Sequence, residues 1–324
     1  MGKILITGAG GFIGSHLAEL CVEQGYSVKA FIHYNSNNHR GWLEDSKYQG
    51  EIEFVSGDIR DYDSVFAALK DCEAVFHLAA LIGIPYSYVS PLAYIRTNIE
   101  GAYNVLQASR EHGTKQILMT STSETYGTAQ YVPIDEKHPL VAQSPYAASK
   151  ISADQLALSF HRSFGLPVKV VRPFNAFGPR QSARAIIPTI ITQILAGEEN
   201  IKLGNTSPTR DFTFVKDVAE GFLAIYKSDR SLGDVTNIGM GTEISIGDLT
   251  KAIASLLNKN VRMVEDQQRV RVEKSEVLRL CCDPSKLKAN TSWKPKYDLT
   301  RGLKETIAWF EEKSNLYKAE LYNV

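Results

Sequence analysis

The sequence predicts an α/β protein built on a doubly wound parallel sheet of seven strands, followed by a smaller α/β lobe. Short β-rich apolar runs alternate with helical patterns from the first residue, a glycine-spaced loop separates the first strand from the first helix, and the rhythm changes after residue 175. Alternation of this kind implies parallel strands joined by right-handed crossovers. At 324 residues the chain also exceeds what one hydrophobic core usually supports, so two lobes are expected.

The first strand is KILIT, residues 3–7, and TGAGGFIG follows it with Gly8, Gly11 and Gly14 three residues apart. Glycines at that spacing let the backbone turn tightly and approach a pyrophosphate. The free N–H groups of the helix that starts at Phe12 and Ile13 then attract the phosphates. SVKAFI and EIEFVSG supply the second and third strands, and GDIRD at 57–61 places Asp58 and Ile59 where an adenine ring would be read. AVFHLAA at 74–80 is the fourth strand, and Leu78, Ala79 and Ala80 leave room for a cofactor at its end. QILMTS, PVKVVRP and DVTNIG complete the sheet, while Val65 and Leu69, then Ala102, Leu106 and Ala108, mark apolar faces of intervening helices. Two longer helices are expected over about 91–111 and 145–163. The dinucleotide-binding lobe is expected to comprise 1–176 plus 214–240, and the substrate lobe 177–213 plus 241–324, with the site in the crevice between them.

Composition narrows the function. Lys and Arg total 36, as do Asp and Glu, so no net field draws the chain to nucleic acid or a membrane surface. The four cysteines, Cys21, Cys72, Cys281 and Cys282, form neither a disulfide framework nor a zinc pattern, and no metal site is expected. No apolar run reaches about 18 residues and no leader precedes KILIT, so the expected compartment is the cytoplasm. An acidic residue some 20 positions past the glycine loop would mark NAD selectivity. Residues 28–43 contain none and offer His33, Asn35, Ser36 and Arg40 instead, a set able to surround a 2′-phosphate. This favours NADP, with NAD held by neutral hydrogen bonds left open.

Chemistry concentrates in TSTSETYG at 120–127 and SPYAASK at 144–150. Tyr146 and Lys150 are four apart on a helix opened by Ser144 and Pro145, so they share a face, and an ammonium there favours the phenolate of a tyrosine whose free pKa is roughly 10. Thr122 completes a proton relay. Glu124, two residues on, adds a carboxylate, and Ser123 lies between them.

TGAGGFIG, HLAA, STSETYG, YAASK and RPFNAFGPR, in this order, resemble the extended short-chain dehydrogenase/reductase family of nucleotide-sugar enzymes over essentially the full chain. That family has a Rossmann-type sheet. STSETYG is similar to the 4,6-dehydratases, and the whole sequence, with FIHYNSNNHRGWL and LIGIPYSYVSP, looks closest to those of legionaminic acid synthesis, whose substrate is GDP-N-acetylglucosamine. The resemblance implies that Tyr146 takes the 4-hydroxyl proton, Thr122 holds the same oxygen, Lys150 steadies the phenolate and the nicotinamide ribose, and Glu124 removes the proton on carbon 5. A ketone at carbon 4 is what makes that proton acidic, and Ser123 assists protonation of the departing 6-hydroxyl. It further implies that Asn98 and Pro173 border the cofactor, that Ser87, Asn175, Pro188, Lys202, Arg210 and Arg271 meet the substrate, and that helices 91–111 and 145–163 pair two subunits in a homodimer. The departures also inform. Leu81–Pro85 are apolar where the family carries a polar run, so the wall suits another hexose substituent such as an acetamido group, or resembles the UDP-glucuronate decarboxylases. Val272 follows Arg271 where a proline is usual. A decarboxylase, a 4-epimerase and a non-catalytic dinucleotide sensor remain the competing readings. YAASK speaks against the first, Glu124 against the second and the intact Thr122, Tyr146 and Lys150 against the third.

Overall fold

In chain order, the computed structural model describes residues 2–318. Strand β1 (Lys3–Thr7) leads through helix α1 (Phe12–Glu23) to β2 (Ser27–His33), then β3 (Ile52–Gly57), α2 (Tyr62–Leu69) and β4 (Ala74–His77). Two short helices, α3 (Ile84–Val89) and α4 (Pro91–Tyr94), run into a π-helical turn over Ile95–Glu100 and then α5 (Gly101–His112). The single helix expected over 91–111 is therefore three differently wound pieces in succession. After β5 (Gln116–Thr120) come the long α6 (Pro145–Phe164), β6 (Val168–Pro173) and β7 (Asn175–Phe177). The remainder is α7 (Ile186–Leu195), β8 (Asn200–Leu203), β9 (Thr209–Arg210), β10 (Phe212–Phe214), α8 (Val215–Lys227), β11 (Val235–Ile238), β12 (Ile244–Ser245), α9 (Ile246–Leu256), β13 (Arg262–Glu265), α10 (Ser285–Asn290) and α11 (Leu299–Glu312).

The central sheet has seven parallel strands in the order β11-β6-β5-β4-β1-β2-β3. All seven are the runs named from sequence. Helices α1 and α8 close one face over Ile4, Ile6, Phe76, Leu118 and Val171, while α2, α5 and α6 close the other over Leu5, Val75, Ile117, Met119 and Val170. Alternate residues of one strand thus enter opposite cores, which is why these strands read as continuous apolar runs. Lys169, one of two cations in β6 with Arg172, is also buried. Its ammonium donates to the carbonyls of Ile225 (2.9 Å), Tyr226 (3.0 Å) and Ser228 (2.6 Å), capping the C-terminal end of α8.

Short strand pairs build the second region: β7 with β10, β9 with β12 and β8 with β13. Ile187, Ile190 and Ile191 of α7 pack there with Leu249 and Ile253 of α9 and Leu303, Ile307 and Phe310 of α11. The segment after residue 284 does not all belong to this core, since Leu287 and Trp293 pack with α8 against the large sheet, where the Trp293 indole donates to the Asp217 carbonyl (2.9 Å). No helix among the described residues is long and apolar enough to cross a membrane, and the four cysteines are buried free thiols.

Strand order reverses direction in sequence at β1 and β4, so the loops leaving their carboxyl ends diverge and open a crevice. Leu118 of β5 lies at the middle of the sheet, fully buried. Leu118→Ala is expected to cost about 2–5 kcal/mol of stability, measured by denaturant unfolding.

Candidate functional site

A cleft of about 1140 Å³ runs along the carboxyl ends of the strands, from the glycine loop to the second region. Gly8 starts it. Its φ is +69°, and a Cβ there would stand 2.8 Å from the Ala79 nitrogen, so the β1 loop lies against the β4 loop as only glycine allows. Thr7 ties the same two loops together. Its hydroxyl meets His77 Nδ1 (2.8 Å) and accepts the N–H groups of Leu78 (3.1 Å) and Ala79 (3.2 Å). Burial, helped by the Lys150 ammonium, pulls the His77 imidazole down to about 3, so it is neutral and takes the Thr7 proton at Nδ1. Gly14, in the first turn of α1, carries no Cβ because one would overlap the Gly8 carbonyl oxygen. Gly11 precedes the helix with no side chain capping it, leaving the first N–H groups of α1, at Phe12 and Ile13, facing the cleft.

The adenosine end departs from the sequence reading. His33 and Asn35 line the cleft but Ser36 and Arg40 do not. The Asn35 amide donates to the carbonyls of His33 (3.2 Å) and His39 (2.9 Å) and accepts the His39 N–H (2.8 Å), so it braces its own loop. The Arg40 guanidinium lies over the Phe54 ring at 4.3 Å. Asp58 is turned away as well, its carboxylate held by the Arg60 guanidinium (3.0 Å from Nε), which also keeps its pKa below the usual range. Ile59 and Arg60, rather than Asp58, face the space, and Leu78, Ala79 and Ala80 line it as expected. The cations read as a 2′-phosphate cradle are thus not assembled.

At the middle of the cleft Thr122, Ser123, Glu124, Tyr146 and Lys150 come together. A tight 3-10 turn, Ser123–Tyr126, follows β5, and its first carboxylate is Glu124. Thr122 caps that turn, accepting the Glu124 N–H (3.3 Å). Helix α6 begins as its sequence dictates, with Ser144 accepting the Ala147 N–H (3.1 Å) and Pro145 in the first turn. Tyr146 and Lys150 are 7% and 5% exposed. The ammonium of Lys150 is expected to favour the phenolate, and in the structure burial is the larger influence on the phenol. The Lys150 ammonium donates to the Thr120 carbonyl (2.5 Å), and burial pushes the Tyr146 phenol well above its ordinary range, with the Thr122 hydrogen bond pulling the other way and the Glu124 carboxylate adding to the rise. Asn98 lies behind this wall, outside the cleft. Its side chain accepts from the Leu81 N–H (2.8 Å) and donates to the Leu81 carbonyl (2.9 Å) and Ser149 (2.9 Å), fixing the apolar 81–86 segment to α6.

Pro173, expected beside the cofactor, and Asn175, Arg210 and Arg271, expected at the substrate, all line the cleft. Arg210 and Arg271 share the Glu276 carboxylate, at 3.4 Å and 3.6 Å. Three residues named from sequence are elsewhere: Ser87 is buried and donates to the Ile84 carbonyl (2.6 Å), Pro188 is buried in α7, and Lys202 is exposed on β8 beside a separate shallow hollow. Arg180 pairs with Glu19 of α1 (2.9 Å) rather than facing ligand space. Gln181, Arg184, Arg269 and Glu276 also line the cleft and carried no motif to announce them. Glu276 lies 66 residues after Arg210, and spacing does not reveal a pair closed by tertiary folding.

Orphaned polar atoms show that the cleft is shaped for a ligand. Thr120 Oγ1, Asn175 Oδ1, Gln181 Oε1 and Arg271 Nη1 are buried, find no hydrogen-bond partner among the described residues, and belong to residues lining the cleft. Each would cost about 1–3 kcal/mol unless something else satisfied it. The glycine loop, the open helix start and the small Ala79 and Ala80 fit a dinucleotide. No cluster of three His, Cys, Asp or Glu side chains among the described residues is placed to hold a metal ion.

Comparison with known proteins places this geometry. The family model of GDP-mannose 4,6 dehydratase matches residues 5–306. The chain belongs to this family. It is therefore an enzyme of the NAD-dependent nucleotide-sugar dehydratase and epimerase group. It is 32% identical to the dTDP-glucose 4,6-dehydratase of Streptomyces antibioticus, over 96% of this chain and 92% of the relative. It is 33% identical to the UDP-N-acetyl-alpha-D-glucosaminuronate decarboxylase of Bacillus cytotoxicus, over 97% and 99%. The crystal structure of DesIV, a dTDP-glucose 4,6-dehydratase from Streptomyces venezuelae with NAD bound, superposes with a TM-score of 0.89 at 28% identity, covering 98% of this chain and 99% of that one. The preference for NADP read from the missing acid finds no support here, in keeping with the scattered His33, Asn35, Ser36 and Arg40 set. Gly14→Ala should weaken dinucleotide binding at least tenfold, about 1.4 kcal/mol, when measured by calorimetry, because the loop must open to admit the methyl group.

Proposed function

We propose that this family member is a nucleotide-sugar 4,6-dehydratase acting on GDP-N-acetylglucosamine, forming the 4-keto-6-deoxy sugar. The observation that carries the reading is Glu124, a carboxylate on the turn that Thr122 caps, lining the cleft with the buried Tyr146. A 4-epimerase needs no second base there.

Bound in the cleft, a nicotinamide dinucleotide supplies a reversible hydride acceptor. The chain would hold it at Gly8, Gly11, Phe12, Ile13 and Gly14 for the pyrophosphate, at Ile59 and Ala79 for the adenosine half, and at Lys150 and Pro173 near the nicotinamide. With Asn35 spent on its own loop and Arg40 laid on Phe54, no 2′-phosphate cradle is assembled, which favours NAD. Tyr146 accepts the 4-hydroxyl proton of the sugar, Thr122 holds that oxygen through its hydroxyl, and the positive charge of Lys150 opposes the cost of a buried phenolate. Glu124 takes the carbon 5 proton once carbon 4 is a ketone, and Ser123, buried beside it, relays that same proton to the leaving 6-hydroxyl, which departs as water and returns Glu124 to its carboxylate. Asn175 and the guanidinium groups of Arg210 and Arg271 would receive the diphosphate, a geometry that a planar fork suits.

The apolar segment Leu81, Ile82, Gly83, Ile84 and Pro85 also lines the cleft and packs beside Tyr146. It supports an acetamido substituent on the sugar, and with it the legionaminic acid route implied by the resemblance. Tyr86, Val89, Leu92, Ile95, Tyr103 and Phe164 are exposed along α3, α5, α6 and the turns between, which supports pairing with a second copy through these helices. The decarboxylase reading is kept as the alternative, because the curated relative of that activity is as similar as the dehydratase.

Purified protein incubated separately with GDP-N-acetylglucosamine, GDP-mannose and UDP-N-acetylglucosamine should remove one water from the first, seen by mass spectrometry. Loss of carbon dioxide from UDP-glucuronate would instead select the alternative. With deuterium at carbon 4 of the hexose, the label should reappear on the new methyl group. Glu124→Gln should lower turnover by about 10²–10⁴-fold while cofactor reduction stays visible, and full turnover would remove Glu124 from the chemistry.

A further inference from the structure

Directly behind Lys150 lies a buried ion pair that none of these roles uses. Arg172 of β6 and Asp154 of α6 meet at 2.7 Å, and each side chain is 2% exposed. The Ser121 hydroxyl donates to the same carboxylate (2.5 Å) and accepts from Arg172 Nε (3.2 Å). The guanidinium lies over the Tyr126 ring at 4.6 Å, and the Tyr126 hydroxyl donates to Asn237 of β11 (2.8 Å). Stripping water from two charges costs several kcal/mol per ion, and well-packed apolar side chains often do as well in such places. Stability is therefore a weak reason for this pair to exist.

Its location supplies a better one. Asp154 follows Lys150 by one helical turn and Tyr146 by two, so the three share a face of α6. Ser121 sits between Thr120, whose carbonyl receives the Lys150 ammonium, and Thr122, whose hydroxyl meets Tyr146. We propose that Asp154, clamped by Arg172 and Ser121, is a positioning residue that keeps Lys150 charged and seated against the end of β5. The inference rests on the reading of Tyr146 and Lys150 as the proton relay.

Burial alone favours a neutral amine at Lys150, and the Asp154 carboxylate opposes it. The other groups around the amine do not. His77 on β4 is neutral, Tyr146 and the edge-packed Tyr94 of α4 are phenols, and Arg172 is a cation. A bare carboxylate at 154 would hold the ammonium but would also oppose a phenolate two turns away, and its field does raise the Tyr146 phenol. Arg172, paired with Asp154 at 2.7 Å, offsets part of that field without abolishing it. Lys150, Asp154 and Arg172 together leave one positive charge over, on the side where Tyr146 must lose its proton.

Asp154→Asn keeps the shape and removes the charge. Dinucleotide affinity by calorimetry, and kcat and KM with sugar nucleotide, are measured against pH for this variant and the parent. The expected result is an alkaline fall-off in affinity and kcat that begins about one pH unit lower, hence about a tenfold loss at a fixed alkaline pH, with KM unchanged. Superimposable profiles overturn the proposal. If thermal melting shows that Asp154→Asn does not fold, the double variant Asp154→Asn with Arg172→Met, which leaves no buried charge unpaired, takes its place under the same criterion. A double variant that also fails to fold overturns the proposal, since the pair would then be structural. If the parent turns over none of the sugar nucleotides, the proposed reaction fails while the affinity profile still decides the role of Asp154.

Discussion

Burial of the Tyr146 hydroxyl is the constraint on which the site depends. The phenol that the proposed reaction requires to give up its proton stands in a place that penalises the anion, and burial is the largest influence on it. The same burial excludes water from the space where a ketone and an acidified C–H bond would form, so it cannot simply be relaxed. The surroundings offset it piece by piece. Thr122 donates toward the oxygen and Lys150 brings a positive charge one turn along the helix, a charge that the neutral His77 leaves unopposed. Thr122 and the Lys150 ammonium are both placed by the end of β5 and His77 by the end of β4, so the site is set by two adjacent strand ends and α6 together.

How much of this was legible in the sequence follows from which signals are local. Strand runs such as ILIT and VVRP are apolar on both faces because both faces are covered, and the glycine loop is a spacing that only close backbone approach demands. The start of α6 was equally plain, since Ser144 and Pro145 act within one turn. What escaped were partnerships closed by the fold. Asn35 and Arg40 had the right chemistry for a phosphate, yet the loop spent one on its own carbonyls and laid the other on Phe54. Asp58 took the guanidinium two residues away instead of facing the adenine site. Arg172 and Asp154 are 18 residues apart with nothing in their spacing to link them. The π turn over Ile95–Glu100 left no mark either, because its residues keep a helical pattern.

Membership in the family narrows the chemistry without choosing among its branches, because a dehydratase, an epimerase and a decarboxylase share the first oxidation and part ways afterwards. Relatives of more than one activity stand at nearly equal identity, 32% for a dehydratase and 33% for a decarboxylase, so overall similarity cannot discriminate. The discrimination has to come from what touches the sugar beyond carbon 4. In this chain the groups lining the cleft beside Tyr146 that could do so are the Glu124 carboxylate and the apolar 81–86 segment, the latter fixed from behind by Asn98.

The two regions of the protein also meet electrostatically across the cleft. Arg210, on the short strand pair β9 and β12, is buried beside Arg271; burial pulls its guanidinium below the ordinary range, and the Glu124 carboxylate from the end of the large sheet and then Glu276 from its own side oppose that. Two guanidinium groups sharing Glu276 carry more positive charge than that carboxylate cancels, and Arg271 Nη1 has no hydrogen-bond partner among the described residues. An anion entering this half of the cleft would complete the balance, and it would do so at the junction of the two regions rather than within either. On the proposed roles, affinity for the diphosphate and placement of the sugar over Glu124 would be one electrostatic event, since Arg210 feels the Glu124 carboxylate as well as Glu276.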